Sequence, residues 1–210
     1  GKVAKEPEKW AKFKAIMEEN NVPKWYIDSC NKIKYLFPKA HAAAYVTNAF
    51  RIAWFKVHIP KAYYCAYFSI RADAFDSDIM CHGKEKVKNE MKRIELLGQN
   101  ATQKDGAMYE TLEIVNEMYE RGISFLPIDL YDSSSTKFKM EDEGIRPPLN
   151  SIPGLGTVAA QGIEDARKDG EFMSISDLKI RAKIGKSAVE MLQNAGCLKG
   201  MSESNQMSLF

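Results

Sequence analysis

The chain has 210 residues, 45% of them apolar and 28% charged, which is ordinary globular chemistry and enough length to bury a core as one large domain or two modest ones. Thirteen glycines and eight prolines are too few for a fibrous or disordered chain, and no run approaches the roughly 18 consecutive apolar residues of a membrane span. The net charge of +2 is unevenly spread: residues 1–64 hold 12 Lys and Arg against 5 Asp and Glu, and residues 65–210 hold 18 against 23, so a polyanion is the natural partner of the N-terminal third.

The opening Gly1-Lys2-Val3-Ala4-Lys5-Glu6-Pro7 has charge but no apolar block behind it, so no secretory signal is read there and a cytoplasmic location without membrane association is expected. Most of the first 120 residues read as helix. Tyr26, Cys30, Ile33 and Phe37 fall on one helical stripe, which Pro38 should stop or bend. An aromatic and alanine-rich helix is predicted from about Ala42 to Val57, closed by Pro60, and is followed by the apolar Tyr63-Tyr64-Cys65-Ala66-Tyr67-Phe68; both are expected in the core of a helical layer. Val87, Met91 and Ile94 mark one more amphipathic helix, and Met108, Leu112, Val115 and Tyr119 mark another, ending at Gly122 after Arg121.

The period then changes. Residues 123–127 and 136–140 predict a two-stranded element with Asp132-Ser133-Ser134-Ser135 as its turn. Arg146 to Asn150, with two prolines, reads as a stiff connector, and three helices are predicted over about 157–168, 175–182 and 186–195. The last residues, from Gly200, read as a tail.

Ile152-Pro153-Gly154-Leu155-Gly156-Thr157 opens the first of those three helices. A Gly-x-Gly turn there points unpaired amides outward with the positive end of the helix dipole behind them, which makes a phosphate cradle. The same glycines fit a dinucleotide fingerprint, but Pro147, Pro148 and Pro153 forbid the ladder strand that motif needs in front of it. About thirty residues on, Ala182-Lys183-Ile184-Gly185-Lys186-Ser187 echoes the pattern, with Lys186 read in place of the second glycine. Two helix-hairpin-helix units in tandem grip successive phosphates of a DNA backbone without reading sequence.

Elsewhere Phe37-Pro38-Lys39-Ala40-His41 sets a cation and an imidazole two residues apart at a helix start, facing a triphosphate or a DNA phosphate on the functional reading and serving structure on the plain one. Asp76-Ser77-Asp78 has the look of a two-metal carboxylate pair, but no third carboxylate is near and a helix cap explains it better. The four cysteines, Cys30, Cys65, Cys81 and Cys197, show no C-x-x-C spacing and read as reduced thiols rather than metal ligands or disulfides. No Ser/His/Asp order, H-E-x-x-H or phosphate-binding lysine loop occurs, so no catalytic or metal-ligating residue is assigned. The final Gln206-Met207-Ser208-Leu209-Phe210 ends on two large apolar residues, which suits docking in a small apolar groove.

Taken together these segments closely resemble the C-terminal region of the PolC-type bacterial DNA polymerase III alpha subunit. Lys24-Trp25-Tyr26-Ile27-Asp28-Ser29-Cys30 through Phe37-Pro38-Lys39-Ala40-His41-Ala42-Ala43-Ala44-Tyr45 resembles its fingers, Ile152 to Thr157 its helix-hairpin-helix, and Gln206 to Phe210 its sliding-clamp peptide. The resemblance implies a mainly α fold with a small β element, divided as a helical fingers portion (1–122), a small β element and connector (123–145), a tandem helix-hairpin-helix module (146–199) and a clamp-binding tail (200–210). It implies nucleotide or primer-template contact by Lys39 and His41, extended by Arg51 and Lys56. It implies duplex DNA contact by Gly154, Leu155, Gly156, Thr157, Gly185, Lys186 and Ser187, and clamp contact by Gln206, Met207, Leu209 and Phe210. The partners are then primer-template DNA, a deoxynucleoside triphosphate and the sliding clamp. The family's Mg-binding carboxylates sit in a palm domain that is not seen in this sequence, so the chain is expected to hold no cofactor and to be inactive alone. A non-enzymatic DNA-binding adaptor carrying a clamp motif is the rival, and a pure interaction protein a third possibility.

Overall fold

The computed structural model describes residues 6–32 and 39–204 and divides into two units, 1–53 and 54–210. In the first unit, α1 (Pro7–Glu19) begins on a proline, whose missing N–H is one that no helix satisfies in its first turn. It ends where Asn21 takes a left-handed φ of 55° and the Val22 amide donates back to the Met17 carbonyl at 2.9 Å. In α2 (Lys24–Lys32) the buried side chain is Ile27, while Tyr26 of the expected stripe is 46% exposed and leans edge-on against Trp25. Ile33, Phe37 and Pro38 lie outside the described residues.

α3 (Lys39–His58) is longer than predicted, and its end from Trp54 belongs to the second unit. It is not in a core. Tyr45, Val46, Phe50, Ile52, Trp54, Phe55 and Val57 are all exposed, because apolar residues stand on every side of this helix and no single stripe exists for one neighbour to cover. Pro60, expected to close this helix, opens α4 (Pro60–Arg71), which does carry core residues in Tyr64, Cys65 and Phe68.

α4 packs in one hydrophobic cluster with residues of α5 (Ser77–Met80), α6 (Lys84–Leu97) and α7 (Gln103–Glu120), including Met80, Val87, Ile94, Leu112, Val115 and Met118. Asp76 caps α5, its carboxylate accepting from the amides of Asp78 and Ile79 at 2.9 and 3.3 Å. Thr102 and Asp105 form a reciprocal capping box at the start of α7. Phe68, Phe75, Phe125 and Phe138 close the cluster as four mutually touching rings, every centroid pair 4.9–6.1 Å apart.

The β element differs from its prediction. β1 (Lys139–Met140) pairs antiparallel with β2 (Ile145–Arg146) through a turn in which the Glu141 amide donates to the Gly144 carbonyl at 2.9 Å. Residues 123–127 add a single parallel bridge, Phe125 to Ile145. The serine run is no hairpin turn, because the carbonyls of Ser134 and Ser135 accept the amides of Leu149 and Asn150, which draws residues 132–135 alongside the start of the C-terminal module.

That module is α8 (Thr157–Ala166), α9 (Ile175–Ala182) and α10 (Lys186–Asn194), close to the predicted bounds. Leu149, Ile152, Leu155, Ile163, Leu178, Ile184, Val189 and Leu192 form its core, with Leu130 and Phe172. Two arginines tie it together. Arg167 donates to the carbonyls of Leu130 and Ser133, and Arg181 to those of Ala166, Gly170 and Glu171. The carbonyls of Ser202 and Glu203 accept the amides of Ile175 and Ser176 at 2.9 and 3.1 Å, so the beginning of the predicted tail is docked on α9. The fold is mainly helical with a small two-stranded sheet. Among the described residues no helix is long and apolar enough to cross a membrane.

Candidate nucleic-acid interface

The two hairpins share one backbone design, offset by 29 residues. Gly154 at φ +83° corresponds to Lys183 at φ +55°, buried Leu155 to buried Ile184, and Gly156 to Gly185, each of these last two being the N-cap of the helix that follows. Leu149 and Leu178, Ala160 and Val189, and Ile163 and Leu192 are also paired by this offset, and all six are buried. The echo in the second hairpin is therefore one residue out of the register predicted. Gly185 stands for the second glycine, Lys183 for the first, and Lys186 for Thr157.

Each hairpin leaves a row of donors open. The Leu155 amide closes the first turn on the Ile152 carbonyl at 3.0 Å, and the helix ladder starts with the Ala160 amide on the Gly156 carbonyl at 3.1 Å. Among the described residues nothing accepts from the amides of Gly156, Thr157, Val158 and Ala159, nor from those of Gly185, Lys186, Ser187 and Ala188. α9, between the two, is capped in the ordinary way by the Ser174 hydroxyl, which accepts the Asp177 amide at 3.1 Å. Open amides at a helix N-terminus, with the helix dipole behind them, bind anions.

The hairpins also lean on each other's helices. A Cβ on Gly154 would stand 2.7 Å from the Met191 methyl in α10, and one on Gly162 in α8 would stand 2.5 Å from the Ala182 carbonyl. Thr157 and Ser187 are exposed, and the Lys186 ammonium reaches Glu190 at 3.7 Å.

The basic residues of α3 are not gathered at one point. Lys39 and His41 are exposed in its first turn, with the imidazole ring 4.5 Å from that of Tyr45. Arg51 is exposed about 18 Å further along the axis at 1.5 Å per residue. Lys56 does not extend an open basic surface. Its ammonium is 2.6 Å from the Glu117 carboxylate and 5.0 Å from the Tyr63 ring centroid, and Glu117 also holds Arg121 at 2.9 Å. Burial works to raise the Glu117 carboxyl, and hydrogen bonds from Lys56 and Arg121 outweigh it and hold the group below its ordinary value.

Gln206, Met207, Leu209 and Phe210 lie outside the described residues. Among those that are described, no group of three or more His, Cys, Asp or Glu is placed to hold a metal ion. Lys183 is absent from the candidates read from sequence, because taking Lys186 for the second glycine shifts the echo by one residue. Aligning Leu149 with Leu178 and Leu155 with Ile184 brings it in.

Comparison with known proteins adds three relatives and one motif. The helix-hairpin-helix motif family matches residues 122–208, which takes in the β element as well as the hairpins. The protein named DNA polymerase III PolC-type from Clostridium perfringens is 54% identical over 196 residues, 93% of this chain and 14% of that protein. Its counterparts from Caldanaerobacter subterraneus and Bacillus subtilis are 50% and 52% identical, each over 194 residues, 92% of this chain and 14% of theirs.

Proposed function

The chain belongs to the PolC-type DNA polymerase III family as a segment spanning 14% of its relatives' length, and from this we propose that it is the duplex-holding part of a replicative DNA-directed DNA polymerase. The observation that carries the proposal is the pair of N-cap glycines. Gly156 and Gly185 have φ of −67° and −82°, and a Cβ on either would meet nothing within 4 Å. Neither backbone angle nor lack of space requires glycine at these two places. A bare backbone there leaves room for something outside the chain, and rows of open amides at positive helix ends select a phosphate. Two such ends, repeated in one module, suit successive phosphates of a duplex held without regard to sequence.

The same reading gives α3 a role. Lys39 and His41 face the triphosphate of an incoming deoxynucleotide or the primer-template junction, and Arg51 adds charge further along. Lys56 is left to the fold, since Glu117 neutralises it. A helix apolar on all sides is the pattern of one buried inside a larger protein, which supports a place for α3 among other parts of a polymerase. The Mg-binding carboxylates that nucleotidyl transfer requires belong elsewhere in such an enzyme, so this chain by itself does not polymerise DNA. Gln206, Met207, Leu209 and Phe210 dock in the sliding clamp, which raises the local concentration of the enzyme on DNA.

The test is the double variant Gly156→Ala, Gly185→Ala, measured by fluorescence anisotropy on a labelled primer-template duplex. Alanine is a poorer N-cap than glycine, so the melting temperature should fall by a few degrees with the variant still folded, while affinity falls at least about tenfold, the worth of one lost charge-assisted hydrogen bond. Unchanged affinity in the folded variant would remove the hairpins from the DNA. In the complete polymerase, Lys39→Ala or His41→Ala should raise the nucleotide KM or lower kcat. A DNA-binding adaptor would show no such effect.

A further inference from the structure

Resting on the reading of the hairpins as a duplex grip, we infer that the two are not equivalent and that Lys183 is the side chain through which the second hairpin holds a phosphate. The repeat places Lys183 where the first hairpin has Gly154, and both positions are left-handed, at φ +55° and +83°. Gly154 has no room for a side chain, because a Cβ there would meet the Met191 methyl at 2.7 Å. The equivalent of Met191 across the repeat is Gly162, which presents no side chain against the second hairpin. Lys183 therefore has space that Gly154 lacks, and its exposed side chain has no partner among the described residues.

Two neighbouring cations are differently employed. Arg181 is spent on three carbonyls of the fold, and Lys186 shares the Glu190 carboxylate at 3.7 Å. A lysine held in a conformation that favours glycine, with a side chain that does nothing for packing, is accounted for by an anion outside the chain. Beside the open amides of Gly185 to Ala188 it adds one mobile positive charge. The first hairpin holds its phosphate through amides alone.

The experiment uses the whole chain, and compares Lys183→Gly, Lys183→Asn and Lys183→Arg with the parent for binding to a labelled DNA duplex from 50 to 400 mM salt. Glycine and asparagine both accept the left-handed backbone, so these variants should melt no lower than the parent. Each should reduce the slope of log affinity against log salt by about 0.9 and weaken binding about eightfold at 0.1 M, as loss of one phosphate contact does. Lys183→Arg should keep the parent slope. If the parent binds and Lys183→Gly binds with the same affinity and slope, the assignment of Lys183 is overturned while the duplex grip stands. If the parent itself does not bind a duplex, the grip fails and Lys183 with it.

Discussion

Gly162 in α8 lies so close to the Ala182 carbonyl at the end of α9 that a Cβ on it would stand 2.5 Å from that oxygen. The close approach is backbone to backbone, so no flexible side chain can yield. Gly162→Ala should separate the two hairpin units and cost about 1–3 kcal/mol, as overpacking does. At about 2–4 °C per kcal/mol for a chain of this size, thermal unfolding should fall by several degrees. Gly106, in α7, is the control. It is helical and exposed, and a Cβ on it would meet nothing within 4 Å, so Gly106→Ala should raise stability by about 0.5–1 kcal/mol.

Acid should weaken the helical core through Glu117. Its carboxyl is held below its ordinary 4.5 by Lys56 and Arg121 in spite of burial, so it binds a proton more readily in the unfolded chain. The resulting stability is fully present above pH 4.5 and is lost as pH falls through the lower, folded value. Glu117→Gln should flatten that part of the profile. Melting temperatures of parent and variant from pH 7 to pH 3 check this, and parallel curves would count against the ion pairs at this site.

The thiols should be quiet. Burial pushes Cys65 up to about 11 and Cys197 up to about 12, and pushes Cys81 upward as well. At pH 8 the Cys65 thiolate is then on the order of one part in a thousand, and the thiolate is the reactive form. Iodoacetamide on the native chain at pH 8, read by peptide mass spectrometry, should leave all three largely unmodified, whereas urea should expose them. Rapid native alkylation of Cys65 would mean that the cluster around α4 and α7 opens readily.

Sequence alone is enough for the C-terminal module because its signals are local. Turn chemistry at Gly154 and Gly185, followed by a 3.6-residue period through Ile163 and Leu192, sets helix starts within a few residues. The strands are harder. Residues 139–140 pair with 145–146 rather than with 123–127, and nothing in the alternation of either segment names its partner. Prolines mislead in one place: Pro60 has the same letter whether it ends one helix or begins another, and the short distance from His58 hides the second option. The composition of α3 suggests a core helix, yet a helix apolar on every face carries no information about which neighbour covers it. At the hairpins the glycines are legible and the partner of each is not. The contact of Gly154 with Met191 joins residues far apart in sequence.

The offset of 29 residues has a consequence for how such a module can arise. Two identical hairpins paired about a two-fold axis must carry the same residue at both equivalent places, so a methionine facing one hairpin would face the other as well. Here Gly154 meets Met191, while the offset puts Lys183 in the place of Gly154 and Gly162, which faces the Ala182 carbonyl, in the place of Met191. Copies joined in one chain are free to make different choices at equivalent places. If the hairpins grip a duplex as proposed, the covalent link between α8 and α9 would let them do so unsymmetrically, by bare backbone at one hairpin and by a charged side chain at the other.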